Sequence, residues 1–188
     1  MKNIEESTVQ RVGLKGIVKM QLRDKDGNIK QLFQGNKIWD RLHKAFGIDL
    51  KIPFLTGKWT TEEVIYNTIT NAGLSEAAKL LGGIAADPVS YMGLGTGTPT
   101  GTALQSEITD GGGERAAVTP TSQDTNVTGD TNRSVKTFAF TDSFAITEEA
   151  LFNASSSGDM IASRSFSVVN VGNGDSLQIT HDLVMTAV

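Results

Sequence analysis

The stretch YMGLGTGTPTGTALQSEITDGGGER, residues 91–115, decides the fold. An apolar run ends in Gly95, Thr96, Gly97 and Thr98, and a second glycine cluster follows at Gly111 to Gly113. Such a stretch is either a phosphate-cradling loop behind a strand or the turn chemistry of a β protein. A P-loop needs Gly, four residues, then Gly-Lys-Ser/Thr, because the lysine and the hydroxyl hold phosphate and Mg²⁺. No lysine follows here, and at Gly57-Lys58 the next residue is Trp59 while Ile52 stands where the first glycine belongs. Gly93, Gly95 and Gly97 lack dinucleotide-fingerprint spacing, and no helix pattern follows them. The stretch therefore reads as a strand and a structural loop, and no cofactor is expected.

The rest of the chain agrees with that reading. Residues 14–23 alternate, with Leu14, Gly16, Val18, Met20 and Leu22 on one face and Lys15, Ile17, Lys19, Gln21 and Arg23 on the other. DKDGN follows, residues 24–28, and Asp26-Gly27 closes a hairpin there. It is not a calcium loop, because Ile29 and Gly35 stand where an EF-hand needs its glycine and its glutamate. Beyond Val89 short strands alternate with polar turns, at RAAVTP, at SVKTFAF, and in three strands between Glu148 and Val188. Phe138 and Phe140 share a face, as do Leu177, Ile179, His181 and Leu183. The expected fold is mainly β, an antiparallel β-sandwich or jelly roll with a small helical insertion. TALQSEI is expected to form a helical turn inside the long loop.

Residues 1–11 read as an N-terminal arm, and 12–188 as one β domain with the insertion at about 37–83. In the insertion, NKIWDRLHKAF places Ile38, Leu42, Ala45 and Phe46 on one helical face and Lys37, Arg41 and Lys44 on the other. Thr60 followed by Glu63 has capping-box spacing and predicts a second helix start. Leu74, Ala77, Ala78 and Leu81 form the apolar stripe of a further helix that Gly82-Gly83 ends, with Gly73 as a possible break.

Chemistry is hard to place on these residues. With no cysteine, disulfides, thiolate metal sites and thiol catalysis are excluded. The opening residues carry no apolar signal-peptide core, and no apolar run approaches the ~20 residues of a bilayer span. His43 and His181 each lack a second ligand at metal spacing. His181, on an apolar strand face, reads as a satisfied core histidine. The adjacent pairs Glu62-Glu63 and Glu148-Glu149 cannot be argued into an acid–base couple, because neighbours on a strand point oppositely. No Gly-x-Ser-x-Gly elbow exists. The protein is expected not to be an enzyme.

Charge is the remaining signal. The net charge is −4, yet residues 1–58 hold twelve Lys or Arg against six Asp or Glu, while the remainder holds five against fifteen. Two surfaces with different neighbours follow from that split. Lys15, Lys19 and Arg23 on the first strand, with Lys37, Arg41 and Lys44 on the first helix, are the candidate partner-binding residues. No aromatic platform lies beside them and the chain is acidic overall, so direct nucleic-acid binding is not expected.

Four segments, ITNAGLSEAAKLLGG, VSYMGLGTGTPTGTALQSEI, the C-terminal FAITEEALFNASSSGDMIASRSFSVVNVGNGDSLQITHDLVM and the opening GIVKMQLRDKDGNI, resemble a family of small tailed-bacteriophage virion proteins. The resemblance covers about two thirds of the chain and implies a virion structural protein assembled in the bacterial cytoplasm. A capsid decoration or cement protein is the first expectation, with the basic residues facing an acidic patch of the major capsid protein. A homo-oligomer follows by analogy, a trimer being favoured. A tail, neck or receptor-binding part of the virion is the alternative. A carbohydrate-binding β-sandwich is the second, resting on Trp39, Trp59, Tyr66 and Tyr91.

Overall fold

The computed structural model describes residues 12–48 and 50–187. The N-terminal arm expected over residues 1–11 lies outside the described residues. Thirteen strands and two helices are present among them: β1 (Val12–Arg23), β2 (Ile29–Lys30), β3 (Leu32–Gly35), α1 (Lys37–Phe46), β4 (Gly57–Thr60), β5 (Glu63–Tyr66), β6 (Thr68–Ile69), α2 (Asn71–Leu81), β7 (Tyr91–Gly95), β8 (Ala116–Ala117), β9 (Thr121–Gln123), β10 (Thr131–Ala139), β11 (Phe144–Phe152), β12 (Met160–Val171) and β13 (Ser176–Ala187).

They form two antiparallel sheets and a small hairpin. The first sheet runs β2-β1-β13-β10-β9, with β5 also paired to β1; the second runs β6-β12-β11-β7-β8; β3 and β4 pair alone. The frame is one long ribbon bent over itself. At its tip β11 and β12 pair within the second sheet, and at its base β10 and β13 pair within the first. The bend keeps its hydrogen bonds, with Phe140 N–H donating to the Asp175 carbonyl at 2.9 Å and Gly174 N–H to the Phe140 carbonyl at 2.8 Å. A ribbon folded in this way is the building step of a jelly roll, and it leaves the two sheets face to face.

Period-2 alternation supplies the core between them. Val18, Met20 and Leu22 of β1, Phe138 of β10 and Leu177 and Ile179 of β13 meet Leu94, Ile146, Leu151 and Phe166 of the second sheet in one buried cluster. Burial of such side chains, worth about 1.5–3 kcal/mol each, is what offsets the ordering of so many short strands. The expected mainly β sandwich is therefore present. In the DKDGN turn Gly27 takes φ +83°, and the Asp24 carboxylate accepts the amides of Asp26 and Asn28 at 2.9 and 2.8 Å. That carboxylate is consumed in shaping a hairpin.

The insertion departs from expectation in its details. Both helices form, but no helix starts at Thr60: its hydroxyl bonds the backbone of Glu62, and residues 57–69 give β4, β5 and β6. The β-branched run TTEEVIYNTIT prefers the pleated surface. The working cap is Thr70, whose hydroxyl accepts the Gly73 amide at 2.9 Å. Gly73 does not break α2. It is where the helix touches β12, since a Cβ there would stand 2.1 Å from the Ile161 carbonyl oxygen. The helix thus buries Gly73 and Glu76, while Leu74 and Leu81 of the expected core stripe face solvent. On α1 the same reversal occurs: Trp39 is buried, and Ile38 and Phe46 are exposed. TALQSEI forms no helical turn; it is an irregular, bent segment that bridges Gly95 through Glu107.

Candidate interaction surface

The Gly-Thr loop after β7 does cradle an anion, and the anion is the chain's own. Glu148 on β11 is fully buried, and its carboxylate accepts the amides of Gly97 at 3.0 Å, Gln105 at 3.0 Å and Ser106 at 3.1 Å. The Thr147 hydroxyl adds a bond to the Gly97 carbonyl at 2.6 Å. The glycines make room for it, because a Cβ on Gly95 would lie 2.4 Å and one on Gly97 3.0 Å from a Glu148 carboxylate oxygen. Those amides are therefore taken and cannot hold a phosphate. At the far end of the loop Arg115 grips Glu107 through two bonds of 2.7 and 2.8 Å. The same guanidinium reaches the carbonyls of Ala154 and Ser157 and lies 3.5 Å over the Phe152 ring. Two charge-assisted braces thus fasten residues 96–115 to the β11–β12 hairpin.

Glu149 points the other way, as neighbours on a strand must, into the space between the sheets. Its carboxylate meets His181 Nδ1 of β13 at 3.1 Å, and both side chains are fully buried. Nε2 of the same ring lies against the Asn67 amide, for which Gly16 leaves the space. Ser134 pairs with His181 in register, which brings serine, histidine and glutamate side by side. No hydrolase relay results: Asn67 occupies the ring nitrogen that would take the serine proton, and all three side chains are closed to solvent. His181 is a satisfied core histidine. Sequence reading placed both glutamates on opposite faces and missed their partners, which lie more than thirty residues away in the chain.

A third carboxylate organises the loop before β10. Asp130 accepts the amides of Thr125, Asn126 and Val127 at 2.9, 2.8 and 3.1 Å and the Thr131 hydroxyl at 2.9 Å. Burial pushes this carboxyl up, but the three amides and the hydroxyl together hold it well below the ordinary carboxylate range. A carboxyl with a depressed folded-state pKa stabilises the fold above its unfolded value, and that contribution is lost as pH falls through the folded one. Asp130→Asn is therefore expected to lower the urea midpoint at neutral pH and to flatten its fall from roughly pH 5 to pH 2. Parallel acid limbs in wild type and variant would contradict this.

The six basic residues fall in two places. Lys15, Lys19 and Arg23 project from the outward face of β1, as the alternation predicts. Lys15 lies over the Tyr66 ring at 4.4 Å, and Arg23 bonds the Gly27 carbonyl and the Gln21 side chain, both at the surface. Lys37 and Arg41 are exposed on α1, whose Asp40 approaches Arg164 of β12 at 3.6 Å. Lys44 is on the same helix, and its side chain lies outside the described residues. The structure thus gives a basic stripe on one sheet and a basic helix beside the β3–β4 hairpin. The four aromatics proposed for sugar stacking do not form a platform. Trp39 is buried against His43, Tyr91 is half-buried, Lys15 covers a face of Tyr66, and Trp59 packs edge-on to Phe33. Among the described residues no three His, Cys, Asp or Glu side chains group to hold a metal ion, and no helix is long and apolar enough to cross a membrane.

A family model described as podophage GP4 fiber I protein gp80 matches residues 60–186. The chain belongs to this family. The match begins at the end of β4 and runs through the whole bent ribbon to β13, and it includes the Glu148 and Arg115 braces with the loop they hold. The protein is accordingly a tailed-phage virion component of a structural family, as the resemblance of its motifs implied. The basic strand β1 and helix α1 lie outside the matched residues, although β1 pairs with β13 along its whole length. No curated protein and no solved structure matches the chain.

Proposed function

We propose that the protein is a subunit of the virion's fibre, with no catalytic role. The observation that carries this reading is the family match over residues 60–186, whose description names a fibre protein. It favours the tail-fibre alternative and gives the capsid-decoration expectation no support. The buried braces fit the role: a part exposed on the particle benefits from loops fastened by buried charge-assisted bonds, since such loops open rarely to proteases. In this reading Lys15, Lys19 and Arg23 attach the subunit to an acidic neighbour in the virion. They stand on a rigid strand, outside the family-matched region, where attachment would be specific to one phage.

The triple variant Lys15→Glu, Lys19→Glu, Arg23→Glu tests that attachment. Lys15 and Arg23 are exposed and Lys19 is half-buried on the outward face, so thermal stability should stay within about 1 kcal/mol of wild type. Particles grown with the variant should carry much less of the protein, and wild-type attachment should weaken with added salt as the Debye length shrinks. Undiminished incorporation of the triple variant would contradict the assignment of that face. Immunogold labelling of intact particles tests the fibre reading itself: label on the appendages is expected, and label spread over the head would overturn it.

A further inference from the structure

We propose that two copies of this chain associate head to tail, an apolar basic ridge of one seating in an apolar acidic groove of the next.

The ridge is the turn after α1. Phe46, Ile48, Ile52, Phe54 and Leu55 are all exposed there, and Phe54 is completely so, at 102%. Residues 50–56 of this turn are pinned. The Thr56 hydroxyl, fully buried, bonds the Leu50 carbonyl at 2.6 Å and takes the Ile52 amide at 2.8 Å. Phe54 is held at φ +68°, a backbone angle that a phenylalanine seldom adopts. A bulky ring presented to water on a fixed, strained turn is costly unless something covers it. The ridge is also positive. Asn36, which caps α1, bonds the Leu55 carbonyl at 2.9 Å, so exposed Lys37 and Arg41 of the helix adjoin the turn, with Lys58 just beyond it.

The groove has the opposite character. It is a hollow of about 480 Å³ between α2, the start of β1 and the ends of β12 and β13. Leu14, Ile161, Leu183 and Met185 contribute its apolar lining, and exposed Leu80 and Leu81 of α2 stand at its rim. Three carboxylates line it, Glu76, Asp87 and Asp130, and no Lys or Arg does; Glu76 is paired with Lys79 at 2.6 Å and Asp130 is bound by its own loop, so exposed Asp87 is the charge the groove offers a partner. The reversed face of α2 is what makes this groove: with Gly73 and Glu76 turned inward, the helix's leucines are left at the opening.

Shape and charge therefore complement each other within one sequence. The two surfaces cannot meet within one chain. The ridge is anchored where Lys51 Nζ bonds the Val168 carbonyl at 2.7 Å, seven residues along β12 from Ile161 in the groove, roughly 23 Å at strand rise. The contact is thus between unlike patches of two copies, a geometry that closes into a ring or continues as a filament. This inference does not depend on the fibre reading, because it concerns the purified chain alone.

The test uses the full chain and three variants, with mass measured by light scattering after gel filtration and by sedimentation. Phe54→Asn removes the ridge's apolar centre and suits the positive φ; Asp87→Lys reverses the groove's exposed charge; Arg41→Glu with Asp87→Lys swaps the charges. All three sites are exposed, and an unchanged melting temperature checks that the fold is intact. Wild type should associate at about 100 μM, and each single variant should weaken association at least tenfold. The charge swap should restore a good part of it. Most directly, mixing Phe54→Asn with Asp87→Lys chains should give a one-to-one complex, because each supplies the surface the other lacks. A monomeric wild type, undiminished association of the single variants, or no complex on mixing would each overturn the proposal.

Discussion

Replacing Glu148 with alanine is expected to lower stability by on the order of 4 kcal/mol and to loosen residues 97–106 of the loop, the part that Glu148 holds. The carboxylate is fully buried and is the shared acceptor of the Gly97, Gln105 and Ser106 amides. Without it three inward-facing donors have no partner, at about 1–3 kcal/mol each, offset in part by water entering the gap. For a chain of this length the melting temperature should fall by roughly 8–16 °C. Hydrogen exchange should show the effect localised first to residues 97–106. Glu148→Gln should recover much of the loss, because all three amides bond one oxygen, Oε1, which a glutamine carbonyl also supplies, and only the longer 3.3 Å contact of the Gln105 amide with Oε2 is given up. A variant melting within a degree or two of wild type would show that the loop is held by something else.

The second large effect is at the pair between the sheets. Either Glu149→Leu or His181→Leu should cost about 3–5 kcal/mol, since each leaves a fully buried polar partner uncompensated. The double variant should cost clearly less than the sum of the two single ones, because neither member of the pair is then left facing an apolar partner and only the Asn67 amide against His181 Nε2 still loses its contact. Denaturant midpoints of the four proteins close the cycle. Additive losses would mean that the two side chains do not act as a pair, whatever their 3.1 Å separation.

These two sites mark the boundary of what the sequence discloses. Alternation on β1 and β13 predicts which side chains enter the core, because a strand's period of two depends only on the local chain. The DKDGN hairpin is legible for the same reason. The role of Glu148 is not, since its three donors stand 42 to 51 residues away and only the bend of the ribbon brings them together. The sequence reads Gly95 and Gly97 as part of a structural loop; that they make room for a carboxylate is a tertiary fact. Helix faces mislead differently. Apolar periodicity assumes that the greasiest face is inside, whereas α2 docks through Gly73, where backbone meets backbone, and leaves Leu74 and Leu81 outside. On α1 one indole, Trp39, outweighs Ile38 and Phe46 for the available space. Those misplaced leucines, isoleucines and phenylalanines are the exposed surface from which head-to-tail association is inferred. The basic stripe of Lys15, Lys19 and Arg23 was legible as a face, and its partner was not, because a charge names only the sign of what it meets.

The central claim, a fibre subunit rather than a coat of the head, is tested most directly by counting. Quantitative mass spectrometry of purified particles against the major capsid protein gives copies per virion. The account predicts a small number set by the closed symmetry of an appendage, roughly a few dozen at most. A count in the hundreds, in simple ratio to the major capsid protein, would contradict it and return the protein to the capsid surface.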